Sequence, residues 1–194
     1  MAQSEKQIIL EFDRKMRKVR GGDYPVRRDV MGYYGEVLMG DELQKRGIPY
    51  EERGGLAGYD LLVDDRIKLE VRTSELKNER CFPKNIMAWG WKLQKRNMKG
   101  EDRSPVPLKY DLVTLVRLKD GWDKYDIFMF QREQVEKMEE IHYGGYQTVA
   151  KGIYLFQNPL EEAIKSDKHH MISRQCRAFN KHPERFLIDW QKLK

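Results

Sequence analysis

Asp60, Glu70 and Arg72 stand in a pattern that chemistry can use. Residues 67–73 read Ile-Lys-Leu-Glu-Val-Arg-Thr and alternate between apolar and charged. Successive side chains of an extended strand point to opposite faces. Lys68, Glu70 and Arg72 therefore share one face, and Ile67, Leu69, Val71 and Thr73 the other. Asp60 lies ten positions before Glu70, in the short extended stretch 59–63. The intervening Asp64-Asp65-Arg66 is a tight turn that folds the two stretches together as antiparallel neighbours. Two carboxylates held close are costly unless a cation or a proton neutralises them. A hard divalent ion such as Mg²⁺ takes one or two carboxylates together with water and phosphate. A basic group beside such an ion can steady the charge of a phosphoryl transition state. An exposed sheet face with a cross-strand acid–arginine pair fits the same residues, and spacing alone favours that plainer reading.

Several elements must position this strand. Residues 4–20 are expected to be helical, with Ile8, Ile9, Phe12, Met16 and Val19 at helical spacing and Gly21-Gly22 as the stop. A second helix is expected over 29–46, capped by Asp29, with Tyr34, Val37, Leu38 and Leu43 on its apolar side. Residues 87–96 read as a further strand and 97–108, with Gly100, Pro105 and Pro107, as a loop. Asp111–Leu118 and Tyr125–Phe130 predict a hairpin around residues 119–123. Beyond it, 131–141, 160–166 and 183–193 are expected to be helical and 152–156 extended. The expected fold class is α/β, a mixed central β-sheet flanked by helices.

Composition narrows the function. The 194 residues include 37 Lys+Arg and 31 Asp+Glu, a net charge of +6. That modest figure hides segregation. Residues 14–28 carry a net +6, residues 76–103 a net +5, and residues 120–140 a net −4. Such asymmetry suits a polyanion on one side, although a solvated charged surface has the same composition. No apolar run approaches the roughly 20 residues that span a bilayer, and the N-terminus has no secretory pattern. Cys81 and Cys176 form no CxxC or Cys/His cluster and are expected to stay reduced in a cytoplasm. The length leaves room for one domain, divided into a basic arm (1–28), a core that carries Asp60, Glu70 and Arg72 (29–141) and a C-terminal extension (142–194).

Gly58-Tyr59-Asp60 and Leu69-Glu70-Val71-Arg72-Thr73-Ser74 together resemble the signature of the PD-(D/E)xK nuclease superfamily. That signature is an Asp on one strand, then Asp/Glu-x-Lys on the next. Many members add an acid from the preceding helix, and Glu36 occupies the matching place here. Residues 110–116 and 125–130 are similar to later core strands of that restriction-endonuclease-like fold. The resemblance covers roughly residues 30–140. It departs in two places: Tyr59 stands before Asp60 instead of Pro, and Arg72 replaces the motif lysine. Arginine keeps its proton at ordinary pH, so it is a poor general base, but it can hold a phosphate or a water. Lys68, two residues earlier on the same face, is the alternative ammonium.

The resemblance implies a Mg²⁺-dependent DNA endonuclease, with Mn²⁺ as a substitute metal. Asp60, Glu70 and the carbonyl of Val71 would ligate the metal, and Glu36 would serve a second ion or a water. Within the superfamily a type II restriction endonuclease, acting as a homodimer on double-stranded DNA, fits a chain of this size. A Holliday junction resolvase, a repair nuclease and a catalytically silent DNA-binding protein are the alternatives.

Candidate DNA contacts are Arg14, Lys15, Arg17, Lys18, Arg27 and Arg28 in the basic arm, then Lys92, Lys95 and Arg96. Ser74, Lys77 and Asn78, just past the motif strand, would lie near the DNA edge. Trp89 and Trp91, two apart, share a strand face and read better as core. Gly54, Gly55 and Gly58 offer either a close backbone approach or an ordinary loop. His169, His170 and His182 lack zinc-site spacing.

Overall fold

The structure is a computed structural model. It describes residues 4–21, 24–53, 57–78, 82, 86–97, 104–140, 149–158, 160–166 and 172–194. Cys81, Gly54, Gly55, His169, His170 and the charges of residues 79–80, 84 and 98–103 lie outside these.

The first helix, α1 (Glu5–Arg20), starts where the sequence calls for it. Ser4 accepts from the Gln7 N–H while the Gln7 side chain accepts from the Ser4 N–H, a reciprocal cap that satisfies two donors. It ends at Gly21, whose φ of 81° lies in a region most side chains avoid. The second helix, α2 (Arg27–Lys45), begins two residues before the expected start. Its N-cap is Val26 with no side-chain cap, so Asp29 sits in the first turn and does not cap it.

A short strand, β1 (Tyr50–Glu52), follows and then β2 (Leu61–Val63) and β3 (Ile67–Glu75). The last two form the expected hairpin, with Leu61 opposite Leu69 and Val63 opposite Ile67. Asp64 and Asp65 both take left-handed conformations at φ 50° and 54°, which Asp tolerates better than most residues. β4 (Lys77–Asn78) and β5 (Met87–Lys95) come next, then β6 (Leu112–Lys119) and β7 (Lys124–Gln131) as the second expected hairpin. β6 runs parallel to β3, with Glu70 opposite Val113 and Arg72 opposite Leu115. After α3 (Arg132–Glu136) come β8 (Val149–Phe156), α4 (Leu160–Ser166) and α5 (Arg174–Lys181).

Among the described residues, five strands in the order β1-β2-β3-β6-β7 make a mixed sheet, and β4-β5-β8 make a second, smaller one. The fold is thus a mixed α/β arrangement with a central mixed sheet flanked by helices. Helices α1 and α2 cover one face through Tyr34, Leu38, Leu43, Leu69, Val71 and Val116. The other face, with Val113, Leu115, Phe128 and Phe130, packs on Trp89, Trp91, Ile153 and the α5 residue Phe179. The indole N–H groups of Trp89 and Trp91 donate to the carbonyls of Leu118 (2.9 Å) and Val116 (3.4 Å). Both tryptophans are therefore core, with their one polar atom satisfied.

Two expected helices shrink. The stretch 131–141 is helical only over Arg132–Glu136. Residues 183–193 form two 3₁₀ turns, Pro183–Phe186 and Trp190–Leu193. Between them Leu187 bridges Phe128, and Ile188 N–H donates to Ile127 O (3.0 Å). The edge of β7 offers unpaired backbone groups, and pairing with them outweighs a continuous helix.

Candidate functional site

The candidate site gathers on β3, on the residue just before β2, and on α2. The parity of β3 sends Leu69 and Val71 to the helix-covered core and Glu70 and Arg72 to the other side. Asp60 N–H donates to Leu69 O at 3.0 Å, and its Oδ2 accepts from the Val71 N–H at 2.7 Å. Both bonds tie Asp60 to the chain flanking Glu70. Glu70 is only 5% exposed and is ion-paired with the Arg72 guanidinium. Its main-chain carbonyl accepts from the Thr114 hydroxyl at 3.3 Å, which couples the site to β6.

Glu36 enters from α2, and its neighbour Gly35 sets how closely. A Cβ on Gly35 would sit 1.8 Å from Thr73 Oγ1, so α2 lies directly on β3 only because no side chain intervenes. Glu36 is thereby brought into the electrostatic reach of both Asp60 and Arg72.

The three carboxyls hold their protons unusually well. Burial pushes Glu36 up to about 7, reinforced by the charges of Asp60 and Glu52 and opposed by Arg72. Burial pushes Glu70 up to about 7 as well. Arg72 and Lys95 oppose that shift, and Asp60 and Glu36 add to it. Asp60 is raised by burial, against the Val71 N–H and Arg72. Each element contributes one carboxylate, and one guanidinium stands among them.

A stability prediction follows from the sign of these shifts. The folded state holds protons on Glu36 and Glu70 up to about pH 7, whereas a glutamate in the unfolded chain gives up its proton near 4.5. Between those values the folded state binds more protons than the unfolded one, so stability must fall as pH rises. The protein in chelator is expected to melt at a lower temperature at pH 8 than at pH 5.5. Equal melting temperatures in Glu36→Gln/Glu70→Gln would attribute the slope to these two groups.

Among the described residues, no group of three or more His, Cys, Asp and Glu side chains is arranged to hold a metal ion. The Glu70 carboxylate is directed to Arg72 and the Asp60 carboxylate to the Val71 N–H. In donor type and charge the set still fits a hard divalent cation, being all oxygen, largely buried and more negative than its single arginine.

The other candidate residues divide by environment. Lys68 is exposed, its ammonium 5.9 Å from the centre of the Tyr59 ring, and its N–H donates to Asp111. The basic arm splits in two. Arg17 pairs with Asp13 at 2.6 Å and Glu75 at 3.4 Å, while Arg27 pairs with Glu75 and Asp13. Both guanidiniums lie over the Trp122 ring, whose indole N–H donates to Glu75 at 3.2 Å. Their charge is spent on packing α1 and α2 against the end of β3. Arg14 pairs with Asp123 at 2.8 Å on the surface, and Lys15, Lys18 and Arg28 are exposed.

Ser74 is buried, accepting from the Gly90 N–H (3.0 Å) between the two sheets. Lys77 and Asn78 of β4 and Lys92 of β5 are exposed, and Arg96 pairs with Glu140 at 2.6 Å. Lys95 is exposed and close enough to act electrostatically on Glu70. Sequence spacing assigned Lys95 to the DNA face and had no signal for this proximity, since β5 and β3 belong to different sheets. It also missed Tyr110, buried near Glu70 with its hydroxyl donating to Leu93 O (3.1 Å), and Glu52 of β1.

No protein-family model matches the chain, and neither does any curated protein. Among solved structures, the bacterial homing endonuclease I-Ssp6803I is similar, with a TM-score of 0.46 and 11% sequence identity. The match covers 81% of this chain and 95% of that one.

Proposed function

We propose that this protein is a divalent-metal-dependent endonuclease of the PD-(D/E)xK kind, acting on double-stranded DNA. The observation that carries the reading is the surplus of carboxylates. Glu36, Asp60 and Glu70 come from separate elements and lie in each other's fields, with Arg72 opposing all three shifts and Lys95 acting on Glu70 as well. Apolar side chains would fill such a place at lower cost, so buried acids of this kind point to a cation as their counterpart.

In this reading Asp60, Glu70 and the Val71 carbonyl hold Mg²⁺, or Mn²⁺ in its place, and Glu36 serves a second ion or a water. The ion supplies charge neutralisation at the scissile phosphate and a more acidic water. Asp60 is kept in place by the Val71 N–H, so its free oxygen presents a fixed acceptor. Glu36 and Glu70 titrate near 7 before a cation arrives, which suits them to exchange protons at neutral pH. The Arg72 guanidinium would hold a non-bridging phosphate oxygen. It does not act as the base. The exposed Arg28, Lys77 and Lys92 supply phosphate contacts that carry no sequence information.

The finer reading is a type II restriction endonuclease. A junction resolvase and a repair nuclease share the same chemistry. One observation favours a silent DNA-binding protein instead: Glu70 is closed onto Arg72 by an ion pair. Plasmid DNA incubated with the protein separates these readings. Discrete fragments with Mg²⁺ and none with a chelator are expected. Selective cutting of four-way junctions would favour the resolvase. Binding without cutting in Mg²⁺ and in Mn²⁺ would overturn the enzyme reading.

A further inference from the structure

The outward face of α1 carries Ile8, Phe12, Lys15 and Val19, at spacings of four, three and four residues. Ile8 is 54% exposed, Phe12 42% and Val19 75%. The opposite side of the helix, Ile9, Leu10 and Asp13, faces the protein interior. The start of α2 runs beside the exposed stripe. Tyr33 hydrogen-bonds Glu5, and Tyr24 meets Phe12 edge-on with ring centres 6.0 Å apart. Tyr33, itself 43% exposed, lies beside the stripe at its Glu5 end. Single exposed apolar residues are ordinary, but three on one line of a helix, with Lys15 completing the line, mark a contact surface.

Its spacing and charges say what covers it. Alternation of three and four residues is the seam of paired helices, because it keeps one line of side chains facing a partner. Charged residues flank that seam on one side, Glu11 in the first half and Lys18 one heptad later. Two identical helices laid antiparallel, with the two-fold axis between residues 13 and 14, put Ile8 against Val19 of the second copy. The same register lays Phe12 on the aliphatic stem and ammonium of Lys15 of the second copy. It also sets Glu11 opposite Lys18 of the second copy, and the symmetry forms that pair twice. A parallel arrangement turns these flanks away from each other and forms neither Glu11–Lys18 pair.

We infer that this face of α1 is a homodimer interface, formed by antiparallel, isologous pairing of two α1 helices. It uses none of the acidic-site residues and stands whether or not the protein cleaves DNA.

The test is the mass of the full chain by light scattering during gel filtration at micromolar concentration. The wild type is expected at twice the 23.2 kDa chain mass. Phe12→Asp, at the seam centre, should run at the single-chain mass. Ile8→Glu should do the same, and its exposure leaves the fold, checked by circular dichroism, unchanged. Glu11→Lys should weaken dimerisation by about tenfold, because it sets like charges together at both ends. The reversed pair Glu11→Lys/Lys18→Glu should restore the dimer. A wild type at the single-chain mass, or dimers that survive Ile8→Glu and Phe12→Asp alike, would overturn the proposal. Failure of the double reversal to restore the dimer would overturn the antiparallel register.

Discussion

Glu70→Gln is expected to lower DNA cleavage by about a thousandfold, because in the proposed site it would remove an anionic oxygen that holds a metal at the reacting phosphate. The same substitution should not weaken the metal-free protein. Burial holds Glu70 up near 7 even with Arg72 beside it, so its ionised form at pH 8 is a strained tenant of the fold. An amide of the same shape removes that charge, and the gain in stability at pH 8 is on the order of 2 kcal/mol. Below about pH 5, where the carboxyl is already protonated, the gain should vanish. Structural roles do not have this signature. A residue needed only for packing would lose stability and activity together. Nicking assays and thermal melts at two pH values measure both halves. Wild-type cleavage by Glu70→Gln would remove Glu70 from the catalytic set. A loss of stability at pH 8 would instead make its bond to Arg72 a structural tie.

Gly35→Val is expected to destabilise the fold by about 3 kcal/mol, an overpacking cost at the upper end of the usual range. The cause is local. Any Cβ at this position lands 1.8 Å from Thr73 Oγ1 and 3.0 Å from Thr73 Cβ, so α2 must lift off β3. The displacement carries Glu36 away from Asp60, and cleavage should fall with stability. Gly32 on the same helix is the control, since a Cβ there meets nothing within 4 Å. Gly32→Ala should stabilise by about 0.5–1 kcal/mol through helix propensity alone. Thr73→Ala should recover part of the Gly35→Val loss, because it removes the atom nearest the clash and a buried hydroxyl that has no hydrogen-bond partner among the described residues. Denaturant midpoints of the four proteins measure this. A Gly35→Val midpoint equal to wild type would mean that α2 does not depend on this contact.

Much of the local structure was legible before the fold. The Ser4 cap and the Gly21 stop bracket α1 within a residue of expectation. The two hairpins are where turn residues separate alternating runs. Errors fell where local preference is weak. β1 has three residues, two of them glutamates, and no apolar alternation to reveal it. The 183–193 segment has helical spacing, yet it is claimed by the free edge of β7.

For the candidate site the division is sharper. Backbone geometry alone makes Glu70 and Arg72 neighbours on one strand face, and a tight turn brings Asp60 beside them, so that part follows from spacing over a dozen residues. Glu36 reaches them only because a glycine lets a helix lie against a strand thirty-odd positions away in the chain. The basic arm shows the same limit. Its charge is plain in the composition, but Arg17 and Arg27 are neutralised by Glu75, 58 and 48 residues distant. Local sequence determines which way a side chain points. Which charges meet, which are desolvated and which stay in water depends on packing between distant segments, and packing sets the energy of every group at this site.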